Sequence, residues 1–361
     1  MRRTSVVIAA ACLTSSVAAL AQAPQKPRVH IIATGGTISN LNGNSRRTVA
    51  ELVTAIPALA NFAQVTFEQF SNIASGAITV DHWRNLAQRV ALVSKESIGP
   101  AGFVITHGTD TMEETAFFLD LTTSPCTPVV MTGAMRQADA VGADGPANLL
   151  NAVRVAASPN VRGLGALILM NDEIFRARDA TKSNASRMDA FTAPDAGPIG
   201  VADPDSVVVY RPAPAPAPAP APAAAASRSC APVFDVATLA ELPRVDVIYA
   251  HVGADSVLID AAVAAGARGI VVASVGRGGM PPMQGTAARR AVARGVVIAI
   301  STRTGSGRVG QTFQADTTGK SRGAVVAAQE LNPQKARVLL MLALAAKYDA
   351  RRIAELFRMP N

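Results

Sequence analysis

The sequence predicts an α/β fold in two domains, the larger N-terminal one built on a doubly wound, mostly parallel sheet. Three observations indicate this fold: a length of 361 residues, a composition that is 49% hydrophobic and 17% charged, and an alternation of short apolar runs with helical patterns. A chain of this length exceeds one ordinary hydrophobic core, and the composition is typical of globular proteins. Strands that alternate with helices form parallel sheets with helices on both faces.

Four continuous apolar runs predict the buried strands of the first domain, which we place at residues 24–210. These runs are 29–33, 103–106, 129–132 and 164–170. Each is ended by polar residues or glycine, as expected where helices cover both faces of a parallel strand. Helical patterns separate the runs, at residues 82–93, 111–121 and 146–157.

The second domain, at residues 232–361, is predicted to be a smaller α/β unit. Its strands are expected at 245–250, 269–273 and 296–300, and its helices at 285–294 and 333–346. Asn332 followed by Pro333 predicts the start of the last helix, because asparagine caps helix N-termini and proline suits the first turn. Residues 211–231 include a strict Ala-Pro alternation, which predicts a semi-rigid linker or surface insertion without chemistry.

The N-terminal residues predict a signal peptide at 1–23. Arg2 and Arg3 form a short positive region, an apolar stretch runs to Leu20, and residues 21–23 (A-Q-A) have the pattern of a cleavage site. We therefore expect a periplasmic or secreted protein, with the choice between general and twin-arginine export left open. No apolar stretch after residue 30 reaches transmembrane length, so we expect no membrane partner.

Composition argues against two further classes of partner. The formal net charge is +8, but the arginines are scattered and have no aromatic residues between them, so we expect no nucleic-acid partner. The chain has four histidines and neither a C-x-x-C nor an H-E-x-x-H motif, so we expect no metal and no cofactor.

Two cysteines, Cys126 and Cys230, remain after the predicted cleavage. Export would permit a disulfide, but sequence alone cannot establish its geometry. Because the two residues are far apart in the chain and flanked by turn residues, we expect unpaired, non-catalytic thiols.

Ligands of doubly wound sheets bind at the carboxyl ends of the strands, so the turns that follow the strands are the candidate sites. The first such turn is T-G-G-T at residues 34–37, where two glycines permit a sharp bend that leaves the Thr37 hydroxyl at the sheet edge. On spacing alone, a structural turn explains this motif as well as a catalytic one does.

The second candidate turn is H-G-T-D-T-M-E-E at residues 107–114. Thr111 and Glu114 predict a capping box, so Thr109 and Asp110 could be ordinary cap-region residues. The same residues also suit substrate recognition, with Asp110 binding an ammonium group beside a helix N-terminus that stabilises negative charge. Lys182 is either a solvated surface lysine or, if it is held near Thr109, a proton acceptor.

These motifs resemble those of bacterial type II L-asparaginases and their glutaminase-asparaginase relatives, in collinear order over nearly all of the mature chain. The segments that carry the resemblance are T-G-G-T-I (34–38), H-G-T-D-T-M-E-E-T-A (107–116), G-A-M-R (133–136), A-D-G-P (143–146), M-N-D (170–172), R-D-A-T-K-S-N (178–184) and L-N-P-Q-K-A-R (331–337). The resemblance implies hydrolysis of L-asparagine to L-aspartate and ammonia, without a cofactor, through a threonine acyl-enzyme. It also implies a homotetramer with active sites at subunit interfaces.

The resemblance assigns a role to each matching residue. Thr37 matches the nucleophile, and Thr109, Asp110 and Lys182 match the group that activates the nucleophile or a water molecule. Asp110 also matches the residue that binds the substrate α-amino group. Two further matches concern substrate binding: Ser75 for the α-carboxylate, and Ala134, whose backbone carbonyl receives the side-chain amide. The backbone N–H groups of Thr37 and Thr109 would form the oxyanion hole.

Several positions depart from the family pattern. Gly76 stands where the family usually has a glutamine that binds the α-carboxylate, and the tyrosine that many members carry on the loop after T-G-G-T-I is absent, since the first tyrosine of this chain is Tyr210. We expect Arg46 or Arg47 to help close this loop instead. Gly253 replaces the family asparagine of the second subunit, and residues 301–328 contain no glutamate. Substrate choice is therefore open between L-asparagine, L-glutamine and another small amide, and a catalytically weak binding homologue is a further alternative.

Overall fold

The structure, a computed structural model, describes residues 25–211, 230–239, 241–310, 314–315 and 323–359. The predicted signal peptide and the Ala-Pro alternation lie outside these residues. The predicted fold class is confirmed, since a large sheet lies in the N-terminal part and a smaller sheet with its own helices in the C-terminal part. Among the described residues, no helix is both long and apolar enough to cross a membrane.

The N-terminal domain has ten strands and four α-helices in its described residues. The strands are β1 (Arg28–Gly35), β2 (Gln64–Ile73), β3 (Gly102–Thr106), β4 (Val129–Thr132), β5 (Ala166–Met170), β6 (Glu173–Arg176), β7 (Thr181–Lys182), β8 (Phe191–Thr192), β9 (Gly200–Ala202) and β10 (Val207–Val209). The helices are α1 (Val49–Thr54), α2 (Val80–Ser94), α3 (Met112–Thr122) and α4 (Gly145–Ala157).

Eight of these strands form one sheet in the order β10-β9-β6-β5-β4-β3-β1-β2, and β7 pairs with β8 in a separate hairpin. Strands β1 to β5 are parallel, whereas β6, β9 and β10 add an antiparallel edge. Successive residues of β1 face opposite sides of the sheet. Ile32 joins the core that includes α2 and α3, and Ile31 joins the core that includes α4. The sheet is therefore covered on both faces, which explains its continuous apolar strands.

The order of the central strands fixes where a ligand can enter. From β1 the chain runs outward to β2 and then returns across β1 to form β3 on the other side. Connections that leave two adjacent strands in opposite directions open a crevice at their carboxyl ends. In this protein, the crevice lies between the ends of β1 and β3, where T-G-G-T and H-G-T-D begin.

The C-terminal domain contains a five-stranded sheet in the order β11-β12-β13-β15-β14, parallel except for β14. Its strands are β11 (Val245–Tyr249), β12 (Gly269–Ser274), β13 (Val297–Thr302), β14 (Gln314–Ala315) and β15 (Ala324–Ala327). Its helices are α5 (Val257–Ala264), α6 (Pro282–Ala293), α7 (Pro333–Ala345) and α8 (Ala350–Arg358). Helix α7 packs against both its own sheet and α3, so Phe117 and Leu339 belong to one core shared by the two domains.

The expectation of unpaired thiols is wrong, because Cys126 and Cys230 form a disulfide with their Cα atoms 5.3 Å apart. They are separated by 104 positions in the chain. The fold brings them together because the chain that follows Cys230 runs along α3, where the Phe234 amide donates to the Leu121 carbonyl at 2.9 Å. Cys126 lies in the connection that leaves the same helix.

We expect the disulfide to contribute about 2–5 kcal/mol to the free energy of unfolding, since it closes a long loop in the unfolded chain. Urea unfolding of the wild type with and without dithiothreitol measures this contribution. The Cys126→Ala/Cys230→Ala double variant should be destabilised by the same amount and should not respond to dithiothreitol. Equal midpoints for the oxidised and reduced wild type would contradict the expectation.

Candidate active site

The end of β1 lies against the turn that follows β3. Gly36 adopts a φ of 88°, and a Cβ atom at this position would lie 2.3 Å from the Gly108 backbone nitrogen. The Thr34 hydroxyl donates to the Thr106 carbonyl at 2.8 Å, and the Gly36 amide donates to the Ile73 carbonyl at 3.0 Å. The backbone segments that lead into Thr37 and Thr109 are therefore in direct contact.

Two more loops meet the same turn. A Cβ atom at Gly108 would lie 2.8 Å from the Ser75 hydroxyl, and one at Gly133 would lie 3.3 Å from the Thr109 methyl group. Because Gly108 and Gly133 have no side chains, Ser75 and the loop after β4 each pack directly against the turn that carries Thr109. The structure brings together residues from four separate segments of the sequence at the crevice between β1 and β3.

The predicted capping box at Thr111 and Glu114 is wrong. The Thr111 hydroxyl donates to the Ser75 carbonyl at 2.9 Å and does not cap α3. Glu114 instead approaches Arg337 of α7, with 4.0 Å between the charged groups. A tertiary contact with the loop that carries Ser75 therefore replaces the local cap that the spacing predicted.

Thr109, Asp110 and Lys182 form one hydrogen-bonded group. The Lys182 ammonium donates to the Thr109 hydroxyl at 2.9 Å and to the Asp110 carboxylate at 2.5 Å. The Lys182 side chain is 13% exposed and the Asp110 side chain is 76% exposed. The lysine is thus held inside the protein against a buried threonine, and the carboxylate is open to solvent.

Thr37 is half-buried in the turn after β1, and its carbonyl accepts from the Asn40 amide at 3.1 Å. Within the part of the chain that the structure describes, no hydrogen bond engages the Thr37 hydroxyl. The following loop folds onto itself through the Arg47 amide and the Ser39 carbonyl, at 2.7 Å. The Arg46 guanidinium donates to the Asn72 carbonyl, which connects this loop to the segment that leads to Ser75.

The remaining predicted binding positions are placed around the same turn. Ser75 is buried, whereas Gly76 is exposed and a Cβ atom there would meet nothing within 4 Å. Ala134 is fully buried, and its loop is fixed by Asp144, whose carboxylate accepts from the Met135 amide at 2.9 Å. Sequence reasoning missed this role of Asp144, although the residue lies in the A-D-G-P motif.

Gly253, which replaces the family asparagine of the second subunit, lies with Asp255 in the loop between β11 and α5. The Asp255 carboxylate accepts from the Val257 amide at 2.9 Å within that loop. Gly253 has a φ of 75°, and a Cβ atom there would meet nothing within 4 Å. Neither residue makes a described hydrogen bond to the group around Lys182.

A buried histidine supports the H-G-T-D turn. His107 is fully buried, and its Nδ1 donates to the Gly108 carbonyl at 2.7 Å. Its Nε2 accepts from the Thr115 hydroxyl at 3.0 Å, and Thr115 in turn accepts from the Trp83 indole at 2.8 Å. Burial lowers the pKa of His107 to about 4, although the Gly108 carbonyl opposes this shift. The ring is therefore neutral at physiological pH.

Sequence reasoning also missed a buried set of polar residues behind Lys182. The predicted cap is confirmed, since the Asn332 side chain accepts from the Lys335 amide at 3.0 Å. Asn332 also donates to the Glu113 carboxylate at 2.7 Å, and Lys335 is only 1% exposed. The available signal was a lysine near the start of a largely apolar helix, because a fully buried lysine is rare without a partner.

The chain is similar to known asparaginases over most of its length. Residues 28–215 match the family described as "Asparaginase, N-terminal", and residues 244–357 match the "Glutaminase/Asparaginase C-terminal domain". The chain is 38% identical to "L-asparaginase 2" of Bacillus subtilis, with 95% of this chain and 89% of that protein covered. It is 37% identical to "Probable L-asparaginase periplasmic" of Haemophilus influenzae, with 94% of each covered. The crystal structure titled "Probable Cytoplasmic L-asparaginase", from Campylobacter jejuni, matches with a TM-score of 0.81 at 36% identity, over 92% of this chain and 99% of that chain.

Gly36→Ala tests the backbone contact at the base of the site. We expect it to lower the free energy of unfolding by about 2–4 kcal/mol, because the new methyl group overlaps the Gly108 backbone and the positive φ disfavours alanine. Gly295→Ala is the matched control, since Gly295 has the same φ of 88° and meets nothing within 4 Å. It should lose about 1 kcal/mol. Equal losses for the two variants in urea unfolding would contradict the close contact.

His107 should make stability depend on pH. Because its folded-state pKa lies below the value of 6.5 for an exposed histidine, the unfolded chain binds a proton first, and stability falls as the pH drops from about 6.5 towards 4. The expected loss is roughly 3 kcal/mol. Unfolding of wild type and His107→Gln, compared at pH 7.5 and 4.5, isolates this contribution. The variant should lose less stability on acidification, and parallel losses would disprove the assignment.

Proposed function

The chain belongs to the asparaginase family, and we propose that it hydrolyses the side-chain amide of L-asparagine to L-aspartate and ammonia. The observation that carries this proposal is the contact of the Lys182 ammonium with both the Thr109 hydroxyl and the Asp110 carboxylate, at 2.9 and 2.5 Å. A mostly buried lysine against a buried hydroxyl, beside an exposed carboxylate, suits proton transfer next to a bound ammonium substrate.

In the proposed mechanism, the Thr37 oxygen attacks the amide carbon, and its proton passes through the Thr109 hydroxyl to Lys182, which takes part in this step as the free amine. The proton then moves from Lys182 to the amide nitrogen, so the carbon–nitrogen bond breaks, ammonia leaves and Thr37 is left as an ester. Water attacks the ester, one of its protons passes through Thr109 to Lys182 and then to the Thr37 oxygen as the ester bond breaks, and aspartate is released. The backbone N–H groups of Thr37 and Thr109 are proposed to stabilise the oxyanion.

The proposed substrate contacts use the other predicted residues. Ser75 binds the α-carboxylate, Asp110 binds the α-amino group, and the Ala134 carbonyl receives the amide. The position of Ser75 against Gly108 supports this arrangement, since it places the serine one residue from Thr109. Arg46 is proposed to hold the loop over the site through its contact with the Asn72 carbonyl.

The open space at Gly76 favours a second candidate activity, the hydrolysis of L-glutamine. A Cβ atom at this position would meet nothing within 4 Å, so the space beside Gly76 is open. A substrate longer by one methylene can use such space. The match to a family described as "Glutaminase/Asparaginase" is consistent with this alternative.

A homotetramer is proposed as the functional assembly. Five large apolar side chains are exposed around the edge strand β11 and the beginnings of α5 and α6: Tyr249, Val252, Val257, Leu258 and Met283. Clusters of exposed apolar residues mark association surfaces, and an edge strand offers unpaired backbone groups to a partner.

We propose that the mature protein acts outside the cytoplasm. The residues at 1–23 have the pattern of a signal peptide. The disulfide between Cys126 and Cys230 supports this location, since disulfides persist in oxidising compartments. The similarity to a relative named as periplasmic agrees with it.

Ammonia release from L-asparagine, L-glutamine and D-asparagine tests the proposed function. We expect release from L-asparagine, with Thr37→Ala reducing kcat at least about a thousandfold and Lys182→Met about a hundredfold or more. Thr37→Ser, which keeps a hydroxyl, should retain measurable activity. No release from any of the three amides would rule out the proposed function, and full activity of Thr37→Ala would rule out the mechanism.

A further inference from the structure

The short strand that carries Lys182 is held from the C-terminal domain. Arg178, four residues earlier, forms an ion pair with Glu330 at 2.5 Å. The Lys335 ammonium donates to the Arg178 carbonyl at 2.9 Å and to the Ala180 carbonyl. The backbone that leads into Lys182 is therefore fixed by residues just before and within α7.

Glu113 holds the same strand from the other side. Its Oε1 accepts from the Thr181 hydroxyl at 3.2 Å, from the Lys182 amide at 3.4 Å and from the Gln334 side chain at 3.2 Å. Its Oε2 accepts from the Asn332 side chain at 2.7 Å. The Glu113 side chain is 6% exposed, so one buried carboxylate joins α3, the Lys182 strand and the start of α7.

Lys335 completes the cluster with a charge that is expensive to bury. Its ammonium lies 3.9 Å from Glu113 Oε2, and the side chain is 1% exposed. Burial lowers the pKa of Lys335 to about 8, although Glu113 and Asp179 oppose the shift. Replacing such buried pairs by apolar residues is often neutral or stabilising, so stability alone is a weak reason for this cluster.

We propose that Glu113, Asn332 and Lys335 form a cross-domain brace that positions Lys182 for catalysis. This inference rests on the proposed function. A lysine side chain has four rotatable bonds, so its ammonium can stay 2.9 Å from the Thr109 hydroxyl only if its backbone is fixed. Misplacement of a catalytic group by about 1 Å can cost about a hundredfold in rate. The C-terminal domain thus completes the active site of its own chain without touching the substrate.

Glu113→Gln is the main test. Its amide group keeps one acceptor oxygen but puts an NH2 group in place of the other, so this NH2 must face the donors of either Asn332 and Lys335 or Thr181 and the Lys182 amide. We expect kcat for L-asparagine to fall about tenfold or more, with KM changed less than about threefold. Glu68→Gln is the control, because it makes the same chemical change in the middle of β2. There it disrupts a half-buried ion pair with Arg89 (2.7 Å). It should leave kcat unchanged.

Two further variants cover the case in which Glu113→Gln does not fold. Thr181→Val removes only the hydroxyl that donates to Glu113, and Lys335→Met removes the ammonium while keeping an unbranched side chain. Each should lower kcat at least about threefold with KM nearly unchanged, at temperatures well below the measured unfolding midpoint. The double variant Glu113→Gln/Lys335→Met should lose less than the product of the two single losses, since the residues act as one unit.

The outcomes separate this inference from the proposed function. If the wild type releases no ammonia from any amide tested, the proposed function fails and the inference falls with it. If the wild type is active and Thr37→Ala is not, but the folded Glu113→Gln, Thr181→Val and Lys335→Met variants keep the wild-type kcat, only the brace is disproved. A loss of kcat in Glu68→Gln as large as that in Glu113→Gln would also disprove it, because the effect would then follow general destabilisation.

Discussion

The close approach of Gly36 and Gly108 is the constraint on which the rest of the site depends. The two turns follow adjacent parallel strands whose connections diverge, so the sheet opens a crevice between them but leaves no room for a side chain at its base. With glycine at both positions, the two backbones are in contact. The residues that follow, Thr37 and Thr109, therefore begin close together. The sheet thereby sets the positions of the Thr37 and Thr109 hydroxyls.

Lys182 is placed in a different way. It lies on β7, which pairs only with β8 in a hairpin of two-residue strands outside the main sheet. The backbone hydrogen bonds of the main sheet, which position Thr109, therefore do not fix Lys182. Hydrogen bonds to buried side chains fix it instead: the Lys182 amide donates to Glu113, and Lys335 donates to the Ala180 carbonyl. Backbone pairing is geometrically strict, whereas a side-chain network needs every member in place. The positions of Thr37 and Thr109 therefore depend on the N-terminal sheet, and the position of Lys182 depends on how the two domains pack.

The central strands could be predicted because helices cover both of their faces, which leaves continuous apolar runs. Strand β2 was missed because it is an edge strand in which polar residues such as Gln64 and Glu68 alternate with apolar ones. Motifs at strand ends pointed to Thr37 and Thr109, whereas the contact of Lys182 with Thr109 was one of two alternatives and became visible only in the structure. The predictions of a capping box and of unpaired thiols were wrong, and the network around Lys335 was missed. Each of these features depends on contacts between segments far apart in the sequence. Local spacing carries no information about such contacts.

The disulfide has a consequence for the integrity of the chain. Cys126 precedes the Ala-Pro alternation and Cys230 follows it, so a protease that cuts anywhere between them yields two fragments that remain covalently joined. Each fragment would carry part of the site, Thr37 in one and Asn332 in the other, and the shared core around Phe117 would hold them in register. A nicked molecule would migrate as one species on a non-reducing gel and as two after reduction. In a protease-rich compartment, this covalent link gives the protein a tolerance to cleavage that its fold alone would not provide.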